Sequence, residues 1–234
     1  MIGVRRGEDR SRNENAQDTT YHWLKTHIAT LPRDTGTFLT ELEVAAQAGT
    51  SRTPVREALL RLEAEGLIQI VPKKGAFVPP ISERDVEDVM EARIVVEDWS
   101  VRRITTAYTS PTPELNALVT ELNELLTQQE EVIDDPVAFI DLDRHFHQTI
   151  VHAAGNPVLE DLYLSLRDRQ VRMGIRAVSS VADRTRAVLT EHRAIVRAIK
   201  SRNTDRATNA VRTHLDNTMA ILRHAGTGRP GGGH

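Results

Sequence analysis

Apolar residues recur at helical spacing from residue 16 onward, where Trp23, Leu24, Ile28 and Leu31 share a stripe that ends at Pro32. A second short helix is predicted from Glu41 to Ala48, capped by Thr40 and closed by Gly49. A third follows, capped by Ser51 or Thr53, with Pro54 in its first turn and Gly66 as its stop. Leu67–Val71, a turn over Pro72-Lys73-Lys74-Gly75, and Ala76–Val78 then read as a small hairpin. Three helices and a hairpin in this order predict a winged helix-turn-helix.

Val78-Pro79-Pro80-Ile81-Ser82 interrupts the pattern, because two prolines break any element. Beyond it only the helical period remains, over residues 82–107, 113–131, 136–154, 157–174, 183–201 and 203–224. Breakers such as Asp134-Asp135-Pro136 and Gly155-Asn156-Pro157 separate these stretches. Six helices in this length predict an all-α antiparallel bundle. The chain is thus expected to be mostly α. The winged helix-turn-helix domain is expected over residues 16–78, a linker over 79–81 and the helical domain over 82–224. Polar, apolar-poor ends are expected to form a disordered arm over 1–15 and a disordered tail over 225–234.

Composition narrows the class. Apolar residues make up 39% of the 234 and aromatics only 4%, so Leu, Ala, Val and Ile supply the core, as helix-on-helix packing favours. There is no Cys, which excludes disulfides and thiolate metal sites and is compatible with the cytoplasm. No apolar run approaches the roughly 18 to 20 residues of a membrane span, and the polar N-terminus is unlike a secretory signal. Net charge is −3. Residues 1–80 carry 11 Lys and Arg against 10 Asp and Glu, so bulk basicity cannot argue for nucleic acid and only placement can.

Placement is informative in SRTPVREALLRLEAEGL, residues 51–67. Arg52 and Arg56 sit four apart at a helix N-terminus, where the macrodipole disfavours cations. An external polyanion would account for them. In a recognition helix, N-terminal residues face base edges in the major groove, and Arg suits bidentate contact with guanine. Ser51 and Thr53 would hold phosphate. Lys73 and Lys74, beside the permissive Gly75, suit a wing that touches the DNA backbone. The plainer alternative is that Arg56 and Arg61 pair with Glu57 and Glu65 on a solvated face.

Residues 16–78 resemble the DNA-binding domain of GntR-family transcriptional regulators. The resemblance runs through Thr40-Glu41-Leu42-Glu43-Val44-Ala45, Gly49, Ser51–Leu59, Leu62–Leu67 and Lys74-Gly75-Ala76-Phe77-Val78. It implies that Arg52 and Arg56 contact operator bases, that Thr53 contacts phosphate and that Gly75 lies at the wing tip. The family usually closes its first helix with glycine and a Pro-Gly turn. Thr30-Leu31-Pro32-Arg33-Asp34-Thr35-Gly36 departs from that pattern.

Seven of the nine His lie at or beyond residue 145. Asp143 and His147 are i,i+4 on one predicted helix, while His192 and His214 lie on the last two. Converged inside a bundle, one carboxylate and three imidazoles would suit a divalent first-row metal, zinc or nickel foremost. A histidine among apolar neighbours is more often a core residue, and His22, His145, His152 and His224 are read as non-ligands.

This half resembles the FCD-type domain of the FadR subfamily. The matching pieces are Glu91–Glu97, Asp143–His147, Ala154–Pro157, Glu191–Ile195 and Ala210–Leu215. The resemblance implies a metal held by Asp143, His147, His192 and His214, with a small carboxylate effector on or near it. Arg93 would pair with the effector's carboxylate, or would simply bridge to Glu97 at i,i+4. The expected protein is a homodimeric regulator that reads a pseudo-palindromic operator and is not an enzyme. Two alternatives stand beside it. One is a regulator whose metal is structural or is itself the signal. The other is a metalloenzyme, which lacks support from any HExxH, nucleophile-elbow or phosphate-loop signature.

Overall fold

The computed structural model describes residues 5–31, 36–108, 110–166, 173–175, 177–178 and 183–224. The chain forms two compact units, Met1–Ile81 and Ser82–His234.

The first unit contains α1 (Arg5–Thr30), β1 (Thr37–Leu39), α2 (Glu41–Ala48), α3 (Arg52–Ala64), β2 (Gln69–Val71) and β3 (Gly75–Val78). Local chemistry sets the helix ends. Thr40 and Glu43 form a reciprocal capping box, so two orphan N–H groups at the start of α2 are satisfied. Gly49, at φ 63°, closes that helix in the left-handed region. In α3 the buried positions Val55, Ala58, Leu59 and Leu62 follow the helical period. They meet Tyr21, Leu24 and Ile28 from α1, Val44 from α2, and Leu39, Ala76 and Val78 from the strands. Leu24, Val55 and Leu62 have no solvent exposure, and burying each contributes about 1.5–3 kcal/mol.

Two features differ from the sequence reading. The helix expected from residue 16 begins at Arg5, taking in most of the segment expected to be a disordered arm. That stretch has no apolar stripe, so periodicity could not mark it as helical. The hairpin is also part of a three-stranded antiparallel sheet, ordered β1-β3-β2, with Phe38 opposite Phe77 and Ile70 opposite Ala76. β1 is only three residues long, too short to show alternation. Pro32 and the altered turn over 32–35 lie outside the described residues.

The second unit contains α4 (Glu83–Ala107), α5 (Pro113–Glu131), α6 (Pro136–Ala153), α7 (Pro157–Ser165), α8 (Arg184–Lys200) and α9 (Thr204–His224). Ser82 and Asp85 box the start of α4. Thr112, Asp135 and Asn156 cap α5, α6 and α7, each followed by proline at the first position, where its missing N–H costs nothing. α4 packs on α9 and α6, α5 on α6 and α8, and α8 on α9. No strand occurs among the described residues of this unit. The helix expected over 157–174 ends at Ser165. Residues 167–172 lie outside the description, and 173–175 and 177–178 are helical again. The tail over 225–234 also lies outside it. Among the described residues no helix is long and apolar enough to cross a membrane.

Candidate functional site

Helical spacing puts Asp143 and His147 on one face of α6, and bundle packing brings His192 of α8 and His214 of α9 to them. One possible ligand atom from each of the four lies within 4.8 Å of the others. The three imidazoles are almost fully buried and their ring centroids are 4.7–4.9 Å apart. Phe146 stacks on His192 at 4.2 Å and fixes its ring plane. The Nε2 of His192 is 3.4 Å from Asp143 Oδ1.

Each imidazole is held from behind. Nδ1 of His147 lies 2.7 Å from Glu97 Oε2 of α4. Nδ1 of His192 faces Gln129 Oε1 of α5 at 3.3 Å, and the Gln129 amide nitrogen donates to the Phe139 carbonyl. Nδ1 of His214 lies 2.7 Å from Glu191 Oε2. An acceptor at Nδ1 selects the tautomer with its proton there and leaves the Nε2 lone pair free. Nε2 of His147 and of His192 is buried and has no hydrogen-bond partner. Leaving such a buried group unsatisfied costs about 1–3 kcal/mol. Two orphaned nitrogens facing a carboxylate, all braced from outside, fit a divalent first-row cation.

The electrostatics follow from burial and the braces. Burial pushes the His192 pKa well below the usual imidazole value, reinforced by the neighbouring His214 and His147. Burial likewise lowers His214, against the opposing pull of Glu191. Both shifts favour the neutral ring, which ligation requires. Burial alone would raise Glu191, but hydrogen bonds from His214 and Arg184 outweigh it and bring the carboxyl down to about 2. Burial would also raise Glu97, but Arg93 and His147 hold it below the usual carboxylate range. Glu97 Oε1 accepts from Arg93 Nε at 2.9 Å and from the Tyr163 hydroxyl at 2.8 Å.

A small cavity of about 30 Å³ lies beside the cluster. Arg93, Arg144, Arg184, Asp143 and His214 form its polar side, and apolar residues including Val89 and Leu222 form the rest. Arg93 bridges to Glu97, and it also lines the cavity. His145 and His152 are exposed, with His152 paired to Glu160, and His22 is exposed in the first unit. The His224 side chain lies outside the description.

In the first unit, Ser51, Arg52, Thr53 and Arg56 are exposed on α3, opposite its buried stripe. Ser51 is the N-cap without a side-chain capping bond. Arg52 makes no hydrogen bond or salt bridge among the described residues. Arg56 does not pair with Glu57; it grips Glu41 of α2 through Nε at 2.9 Å and Nη2 at 3.0 Å. Arg61 does pair with Glu65, at 3.6 Å, and also lies over the Tyr21 ring. Lys73, at φ 65°, and Lys74 are exposed in the β2–β3 turn. Gly75 is half-buried as the first residue of β3, opposite Val71, rather than at the tip. Its φ is 104°, and a Cβ there would lie 2.4 Å from the Leu39 carbonyl oxygen. The glycine is required by the close approach of β1.

Residues 16–78 match the gntR family of bacterial regulatory proteins, and residues 88–217 match the FCD domain. The chain belongs to the GntR family of transcriptional regulators. An HTH-type transcriptional regulator of Streptomyces ambofaciens is 33% identical over 198 residues, covering 83% of this chain and 80% of its own. The HTH-type transcriptional repressor RspR of Escherichia coli K12 is 30% identical over 189 residues, or 80% of each chain. The E. coli McbR/YncC structure shares the fold, with a TM-score of 0.58 and 24% identity over 91% of this chain and 97% of that one. Members of this GntR family are DNA-binding regulators, and the relatives matched are regulators rather than enzymes.

The sequence does not single out Gln129, Tyr163 or Arg184, and it offers Glu97 only as an alternative partner for Arg93. Glu97 carried a partial signal, since it lies one turn from Arg93. Gln129 carried none, because its meaning depends on α5 lying against α8.

Proposed function

We propose that this GntR-family regulator acts in the cytoplasm as a homodimer on a pseudo-palindromic operator. A small carboxylate, bound at or beside a divalent metal in the FCD bundle, modulates that binding. Arg52 and Arg56 read bases, Ser51 and Thr53 hold phosphate, and Lys73 and Lys74 carry the wing to the backbone. Gly75 allows the wing's geometry. Asp143, His147, His192 and His214 hold the metal, zinc or nickel by donor type.

The observation that carries the metal reading is the bracing of three buried imidazoles by Glu97, Gln129 and Glu191, with Nε2 of His147 and His192 left unpartnered. A bound cation supplies positive charge next to the cavity, and Arg93 and Arg184 line the same space. A carboxylate is the ligand such a wall suits, because guanidinium groups bind it in bidentate fashion. One relative is named as a gluconate operon repressor, and gluconate is a hydroxy-carboxylate.

The test is elemental analysis of the purified protein, with melting curves against mono-, di- and hydroxy-carboxylic acids, with and without chelator. Bound metal, and a melting shift from one acid class that chelator abolishes, is the expected result. Unchanged metal stoichiometry in His192→Ala would rule out the site. The smallness of the cavity supports a second reading, in which the metal itself is the signal. A change in operator affinity on adding metal alone, with no further response to any acid, would select it.

A further inference from the structure

The grip of Glu41 on Arg56 is side-on. The carboxylate takes Nε and Nη2, at 2.9 and 3.0 Å. A guanidinium has five N–H donors in a planar fork. Nη1 and the second hydrogen of Nη2 remain, and together they form the outer edge of the fork. That edge matches guanine O6 and N7. The pair is 66% exposed at Arg56 and 32% at Glu41, and exposed pairs add little to folding. Glu41 does not need Arg56 either, since an acid in the first turn of α2 is already favoured by the helix dipole. An anion on a surface meant for DNA would by itself weaken binding.

We infer that Glu41 is a positioning residue: it locks the Arg56 side chain on the recognition helix in one rotamer with its outer fork free for the guanine of a G·C pair. This rests on the reading of Arg56 as a base contact. A free arginine loses its rotamer freedom on binding, whereas Arg56 has already lost it. Arg52, one turn earlier, has no such clamp among the described residues. The two arginines therefore differ in kind: Arg52 is ordered by the operator, and Arg56 is ordered before it.

The experiment uses the full-length protein and a duplex it selects from a random library. Affinity is measured for that duplex, for versions with single G·C pairs exchanged, and for an unrelated duplex. The proteins are wild type, Glu41→Ala, Glu41→Gln, Arg56→Ala and the Glu41→Ala/Arg56→Ala double variant. Glu41→Ala should weaken the selected duplex roughly 3- to 10-fold, the scale of ordering one long side chain. Its affinity for the unrelated duplex should hold or rise, because a negative charge has gone. In the Arg56→Ala background the same change should do nothing to discrimination. Glu41→Gln, which keeps one acceptor, should fall between. If Arg56→Ala loses discrimination at a G·C pair while Glu41→Ala binds the selected duplex like wild type, the positioning role is wrong. Equal changes on both duplexes would also overturn it, pointing to simple repulsion if they are gains and to damaged α2 if they are losses. If Arg56→Ala discriminates normally, the base-contact reading fails and this inference falls with it.

Discussion

Glu97→Gln is the most revealing single change in the bundle. It keeps shape and removes one charge from a side chain only 1% exposed. Glu97 pairs with the buried Arg93 at 2.9 Å, and it also takes the Tyr163 hydroxyl. Removing one member of a buried pair typically costs about 3–5 kcal/mol, because the other charge stays behind without compensation. The amide oxygen can still accept from Arg93 and Tyr163, so the low end, about 3 kcal/mol, is expected. For a unit of this size that lowers the melting midpoint by roughly 10 °C. Calorimetry of the full chain in chelator isolates this from any metal. The double variant Arg93→Met/Glu97→Gln should recover most of the loss, since removing both charges is often near neutral. A second readout is metal affinity. With the amide oxygen on Arg93, the amide N–H groups face His147 Nδ1 and donate to it. That moves the imidazole proton to Nε2, where it blocks ligation, and a brace of this kind is worth about 10–100-fold in affinity. A single variant within about 1 kcal/mol of wild type, or a double variant at least as unstable as the single, would refute the account of Glu97 as a charge-balancing brace.

Other outcomes follow from the same geometry. Arg52→Ala should lose about 1–3 kcal/mol of specific operator binding while its melting curve is unchanged, because Arg52 is exposed and makes no hydrogen bond or salt bridge among the described residues; normal binding in a gel-shift titration would displace α3 as the reading helix. Asp98 joins α4 to α9, with Oδ2 2.7 Å from Arg102 Nε and Oδ1 2.7 Å from Arg212 Nε. Burial alone would raise its pKa, but those two arginines lower it. Its contribution to stability is therefore fully present above the ordinary aspartate value and fades as pH falls through the lower folded value. Asp98→Asn should flatten that part of the stability-versus-pH curve below about pH 4, by a small amount because both arginines are half exposed and screened. An unchanged acid slope would show that the contact has no energetic weight.

Much of this protein is legible residue by residue. Thr112-Pro113, Asp135-Pro136 and Asn156-Pro157 mark helix starts with no help from the rest of the chain, since capping and the φ of proline are local. The pairing of Asp143 with His147 on one face, and of Arg52 with Arg56, follows from the helical period alone. What that period cannot say is which other element a face will meet. His192 finds Gln129 63 residues away in sequence, His214 finds Glu191 across 23, and Arg56 finds Glu41 across 15. β1 becomes a strand because β3 lies beside it, and Gly75 is required because the Leu39 carbonyl approaches within the reach of a side chain. Local sequence therefore determined the helices and the candidate ligands. Tertiary packing alone decided the braces that orient those ligands and the clamp on Arg56, because such contacts depend on how separate elements are brought together in space.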